Sequence, residues 1–157
     1  MGFSFIDSQG NILMDDEDHV RITDFGFALI AEATPGHFGS VHGGAAIHFT
    51  APELFDAADF GLDNTRPTVA TDVYALACTC VELYGDKWPW EGTEKLNNFQ
   101  IGNKVSKGQR PKRPTTPYGE PMPASIWDVV CACWKQRPSD RLKVSPLVKQ
   151  LEAIAFA

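Results

Sequence analysis

Two oxygen-bearing side chains stand at matching ends of two short apolar stretches. Asn11 precedes residues 12–14, and Asp24 follows residues 20–23. The stretches Ile12-Leu13-Met14 and Val20-Arg21-Ile22-Thr23 flank an acidic turn, Asp15-Asp16-Glu17-Asp18. The second stretch alternates apolar and polar, as a half-buried strand does. Antiparallel pairing of the two would bring Asn11 and Asp24 together. An amide oxygen beside a carboxylate suits a hard cation such as Mg²⁺, which takes oxygen ligands and keeps several from water or phosphate. Phe25 would pack inward and fix the aspartate's direction, and Gly26 allows a sharp turn. On the hairpin alone, a solvated acidic turn without a ligand is the better reading.

The elements that must position this pair follow it in the chain. Residues 27–50 are rich in Gly, Ala, His and Thr without a clear period, which predicts a long loop. Residues 72–84 predict a helix with Val73, Leu76, Ala77, Cys80, Val81 and Tyr84 on its apolar face. Thr71 or Asp72 would cap its start, and Gly85 would stop it. A weaker helix is expected over 94–101, with Leu96 and Phe99 inward. Five prolines in residues 107–123 forbid regular structure. A further helix should start at Ser125, with Asp128 three residues on and Trp127, Val130, Cys131 and Trp134 as its stripe. The last opens at Ser145-Pro146, with Leu147, Leu151 and Ile154 buried. The expected fold is mainly α: one β-hairpin, a loop, then a bundle of three or four helices.

The 157 residues carry 14 basic and 20 acidic side chains, a net charge of −6, which disfavours general binding to nucleic acid or anionic membrane. No apolar run is long enough to span a bilayer, and the first residues lack the basic and apolar regions of a signal peptide. An intracellular, cytoplasmic setting is the expectation. Cys78/Cys80 and Cys131/Cys133 are spaced two apart, which on a helix points them to different sides, so buried thiols are expected rather than a zinc site. Five basic residues between Lys104 and Arg113 lack interleaved aromatics and read as a solvated loop. Trp127 and Trp134 share a helical face and belong to the core, whereas Trp88 and Trp90 sit on a turn.

Asp24-Phe25-Gly26 resembles the metal-binding motif of protein kinases. It comes in series with others. Asn11-Ile12-Leu13 resembles the end of the kinase catalytic loop. Ala51-Pro52-Glu53 resembles the close of the activation segment. Asp72-Val73-Tyr74 resembles the start of the helix that braces the catalytic loop. Cys133-Trp134 with Arg137-Pro138-Ser139-Asp140-Arg141 resembles the late C-lobe signature, in the form common to tyrosine and tyrosine-kinase-like kinases.

The resemblance covers residues 11–157 as a kinase-like C-lobe, α+β by family, and leaves residues 1–10 as an unmatched head. It implies ATP and Mg²⁺ as cofactors, with Asp24 and Asn11 as metal ligands and Phe25 and Gly26 beside them. It implies a protein partner, substrate or docking. It also implies structural roles: Glu53 paired with Arg141, and Asp72 bracing the catalytic loop, though Asp72 could equally be a helix cap. Thr34, Ser40 and Thr50 would be activation-segment hydroxyls open to phosphorylation, given an arginine partner.

The departures are equally specific. The position of the catalytic base is Ile6, and Asp7 is one place out of register. No His-Arg-Asp, glycine-rich loop, phosphate-holding lysine or αC glutamate has a counterpart. Ala46 stands where the family often has Ser or Thr. The expected function is therefore a protein kinase domain fragment, of a family that phosphorylates protein Ser/Thr or Tyr, inactive as an isolated chain. The alternative is a non-catalytic kinase-like binding module. Oligomeric state is open.

Overall fold

The computed structural model describes residues 4–5, 12–23, 46–92 and 95–157. The chain divides into two compact units, Met1–Pro35 and Gly36–Ala157.

The first unit holds a three-stranded antiparallel sheet in the order β1-β2-β3: β1 (Ser4–Phe5), β2 (Ile12–Met14) and β3 (Val20–Ile22). The expected hairpin is β2–β3, in register with Ile12 opposite Ile22 and Met14 opposite Val20. β1 adds a strand the sequence did not announce, with Phe5 opposite Leu13. Asp15 organises the acidic turn. Its carboxylate accepts from the backbone N–H of Glu17 (3.0 Å) and of His19 (2.9 Å), and from Arg21 Nε (2.9 Å). The His19 amide, with the Arg21 guanidinium and the Glu17 amide, holds the Asp15 carboxyl below the usual range, against a smaller opposing pull from desolvation. Asp18 takes the left-handed conformation (φ 62°) that short polar residues tolerate. Ile12 and Leu13 are half-buried, while Val20 and Ile22 face solvent.

The second unit is helical. Short 3-10 turns at Ala46–Phe49, Pro52–Leu54 and Ala58–Phe60 lead into α1 (Val69–Gly85), α2 (Asn98–Ser106) and α3 (Ala124–Cys133). A 3-10 turn at Pro138–Asp140 precedes α4 (Val144–Ala155). Of the long loop expected over 27–50, residues 46–49 instead form a 3-10 turn, and residues 27–45 lie outside the described residues. α1 packs on α3, and α3 on α4. Tyr74, Ala77, Cys78 and Val81 of α1 meet Ile101 and Val105 of α2, Val129, Val130 and Cys133 of α3, and Leu147 of α4 in one core.

Helix ends differ from the expected ones for local reasons. α1 begins three residues early because Thr68 is its cap. Thr68 and Thr71 bond each other's backbone N–H reciprocally, a capping box built with threonine in place of the usual glutamate. Asp86, not Gly85, takes the left-handed cap conformation (φ 51°). α2 starts at 98, capped by Asn97 with Gln100, so Phe99 points outward at 81% exposed and Ile101 and Val105 face in. α3 starts after Pro123 with no side-chain cap, and Ser125 lies inside it. α4 starts after Lys143, and Pro146 is its third residue, where it still sacrifices no helical hydrogen bond.

The buried stripe of α1 is rotated from the expected one: Tyr74 and Cys78 are buried and Leu76 is exposed. All four cysteines are free. Burial raises the Cys78 thiol to about 12 and the Cys133 thiol to about 11, so both are inert hydrophobes. Trp127 and Trp134 meet edge to face at 5.4 Å, as a core pair should.

Candidate functional site

The best-defined polar arrangement lies between two short turns. Ala51 is extended (φ −70°, ψ 148°), and Pro52 opens the turn that carries Glu53. Arg141 follows the Pro138–Asp140 turn. The two side chains meet across 88 positions of sequence. Arg141 Nη1 donates to Glu53 Oε1 and Nη2 to Oε2, both at 2.6 Å. The residues are 2% and 3% exposed.

Burying two charges is costly unless every donor and acceptor is used. Arg141 meets that demand. Nη1 also donates to the Ala70 carbonyl (2.8 Å), Nε to the Lys135 carbonyl (3.0 Å), and Nη2 to the Gln136 carbonyl (3.4 Å). Only a planar fork of five N–H groups can do this, and lysine could not substitute. One side chain thereby ties the 52–54 turn, the start of α1 and the segment after α3.

Tyr74 lies beneath the pair. The guanidiniums of Arg141 and Arg110 each sit 5.1 Å from its ring centre. Burial holds the Tyr74 hydroxyl protonated well above its ordinary range. Arg110 was expected in a solvated basic loop, but it turns inward. Its Nε donates to the Trp134 carbonyl (2.8 Å) and its Nη2 to Gln136 Oε1 (2.7 Å). Gln136 in turn donates to the Ser106 carbonyl (3.1 Å), linking the ends of α2 and α3. Arg113 likewise bonds the Met122 carbonyl. No local sequence signal marks these arginines as structural; their acceptors lie up to 26 positions away.

Asp72 lies in the first turn of α1, exposed yet sufficiently desolvated that its carboxyl is pushed up. It is not the cap. Thr50 is 6% exposed, so its hydroxyl is not displayed to solvent. Ile6, Asn11, Asp24, Phe25, Gly26, Thr34 and Ser40 lie outside the described residues. Among the described residues no cluster of three or more His, Cys, Asp or Glu could hold a metal, and no helix is long and apolar enough to cross a membrane.

A family model described as protein tyrosine and serine/threonine kinase matches residues 8–151. The bovine (Bos taurus) receptor-interacting serine/threonine-protein kinase 2 is 28% identical over 158 residues, covering 93% of this chain and 28% of that protein. The RGS domain-containing serine/threonine-protein kinase A of Dictyostelium discoideum is 30% identical, over 93% of this chain and 11% of that protein. The tyrosine-protein kinase SRK2 of Spongilla lacustris is 30% identical, over 90% of this chain and 35% of that protein. The chain therefore spans about a third or less of the length of each of these relatives.

Proposed function

The chain belongs to the protein tyrosine and serine/threonine kinase family, and from that premise we propose that its 157 residues are the substrate-side scaffold of a kinase C-lobe. The family reaction transfers the γ-phosphoryl of ATP to a protein hydroxyl, and its catalysis is mostly positioning and charge stabilisation. The observation that carries the reading is the buried Glu53–Arg141 pair at 2.6 Å. It fixes the end of the segment that would present a protein substrate.

In this reading Asn11 and Asp24 are the oxygen ligands for Mg²⁺, whose charge would neutralise the ATP phosphates. Phe25 and Gly26 set the direction of Asp24, and Asp72 braces the catalytic loop. Thr34 and Ser40 are the candidate phosphorylation sites; phosphorylation of Thr50 requires the 46–54 segment to open first. The partner is a protein, and the setting is the cytoplasm.

A preparation of these 157 residues is not a catalyst in this account. Ile6 stands at the base position, and neither the glycine-rich loop nor the phosphate-holding lysine has a counterpart in it. Its contribution is binding of protein, with catalysis requiring those parts from elsewhere. Titration with a fluorescent ATP analogue and Mg²⁺ tests this. The expected affinity is no tighter than about 1 mM and is the same in Asp24→Ala. Micromolar binding that Asp24→Ala abolishes would keep Asp24 as the metal ligand but overturn the claim that these residues need parts from elsewhere.

A further inference from the structure

The helical unit contains a groove of about 860 Å³ between the turn after α1 and the proline-rich 109–119 segment. It shares only Arg110 with the residues around the Glu53–Arg141 pair, through the Tyr74 ring. Among the described residues, five cations line it, Lys87, Lys104, Arg110, Lys112 and Arg113, against two anions, Asp86 and Glu91. This cationic excess stands in a chain whose net charge is −6. Two of the cations are fixed in place by neutral oxygens: Arg110 by the Trp134 carbonyl and Gln136, and Arg113 by the Met122 carbonyl. Their positive charge is therefore held rigidly at the wall. Glu91 is engaged in the turn itself, accepting from the Trp88 backbone N–H at 3.1 Å.

The groove also has an aromatic side. The basic stretch carries no aromatic of its own, but the fold sets Trp88 and Trp90 opposite it. Trp88 is 37% exposed and packs on His48, with ring centres 5.2 Å apart. Pro111, Pro114 and Pro117 stiffen the facing wall, because each fixes its own φ. A rigid, preformed site loses little entropy on binding.

We infer that this groove docks an acidic segment of a partner protein, with an apolar side chain against Trp88 and carboxylates toward Lys87 and Lys112. Charge complementarity selects an anionic occupant. A peptide fits better than a nucleic acid, because its carboxylates can be spaced to avoid Asp86 and Glu91. A continuous phosphate backbone would run past both and over a surface of net negative charge. The inference does not depend on the kinase reading, since it uses the helical unit alone.

The test uses the whole 157-residue chain and a short synthetic peptide of Asp and Glu with one central Phe. Calorimetry and tryptophan fluorescence are the readouts, since Trp127 and Trp134 are in the core and Trp88 and Trp90 line the groove. The expected result is saturable binding that weakens as salt rises. Lys87→Glu/Lys112→Glu, two exposed positions, should weaken it about tenfold with an unchanged circular dichroism spectrum. Trp88→Phe should keep calorimetric binding and lose most of the fluorescence change. Absence of saturable binding overturns the inference, as does equal binding by the charge-reversed variant. Tighter binding of an oligouridylate of equal charge replaces the peptide by nucleic acid. Self-association that the charge reversal abolishes, without peptide binding, makes the occupant a second copy, for instance through its acidic turn at residues 15–18.

Discussion

The guanidinium of Arg141 meets both carboxylate oxygens of Glu53 at 2.6 Å, in a site that water does not reach. The pair joins a turn early in the helical unit to one near its end. Its remaining donors hold the carbonyls of Ala70, Lys135 and Gln136. Such a pair adds geometry more surely than it adds net stability, because desolvation offsets most of the Coulombic gain.

Arg141→Met should nevertheless be severe. It leaves the Glu53 carboxylate buried without its partner and takes the guanidinium away from the carbonyls of Ala70, Lys135 and Gln136. The expected loss is about 3–5 kcal/mol, measured as a drop in the urea midpoint. The double variant Glu53→Leu/Arg141→Met should recover part of that loss, since the orphaned charge is gone, but not all, since the carbonyls remain. A loss below about 1 kcal/mol for Arg141→Met would show that the pair organises nothing.

Alkaline pH should weaken the fold. Burial raises the folded-state pKa of Cys78 to about 12 and of Cys133 to about 11, from 9.0, and Tyr74 moves in the same direction. As pH rises past 9.0 the unfolded chain releases these protons and the folded chain keeps them. The stabilisation is thus full below about pH 9 and falls above it. Urea midpoints at about pH 8 and pH 10 should differ in that direction, and the difference should shrink in Cys78→Ala. A midpoint that rises with pH, or a slope untouched by the substitution, contradicts this.

The thiols should also sort by burial. Cys78 and Cys133 are inaccessible in the folded chain, whereas Cys80 and Cys131 are partly exposed. An aromatic disulfide reagent at neutral pH should label Cys80 and Cys131 first, and Cys78 and Cys133 only on the timescale of unfolding. Prompt labelling of all four would mean the α1–α3 contact opens readily.

Thr68→Ala should cost about 1 kcal/mol, because it removes the cap of α1 and with it the reciprocal bond to Thr71. Thr68→Ser should cost little. Equal losses in the two variants would point to a role other than capping.

The hairpin was legible because Ile12, Leu13, Val20 and Ile22 bracket a turn of four acids that cannot be buried. α1, α3 and α4 were legible from their apolar periods, whereas for α2 the expected inward residues were wrong: Leu96 precedes the helix and Phe99 faces solvent. The helix starts were not legible. The cap of α1 uses Thr71 where a glutamate would be recognisable, and α2, capped by Asn97, starts four residues after the expected start. The Glu53–Arg141 contact was expected from family resemblance alone; nothing local in either turn pairs positions 88 apart. Arg110 and Arg113 were missed because a basic, proline-rich stretch looks solvated until its acceptors at Trp134 and Met122 are in place. Asn11 and Asp24, where sequence reasoning placed the metal chemistry, lie outside the described residues.

Phosphoryl transfer from labelled ATP, with Mg²⁺ and a mixture of Ser-, Thr- and Tyr-containing peptides, tests the central claim most directly. These 157 residues should show no transfer above that of Asp24→Ala measured beside them. Turnover by the wild-type chain that Asp24→Ala abolishes would mean that a catalytic base is present despite Ile6, and that the chain is an enzyme in its own right.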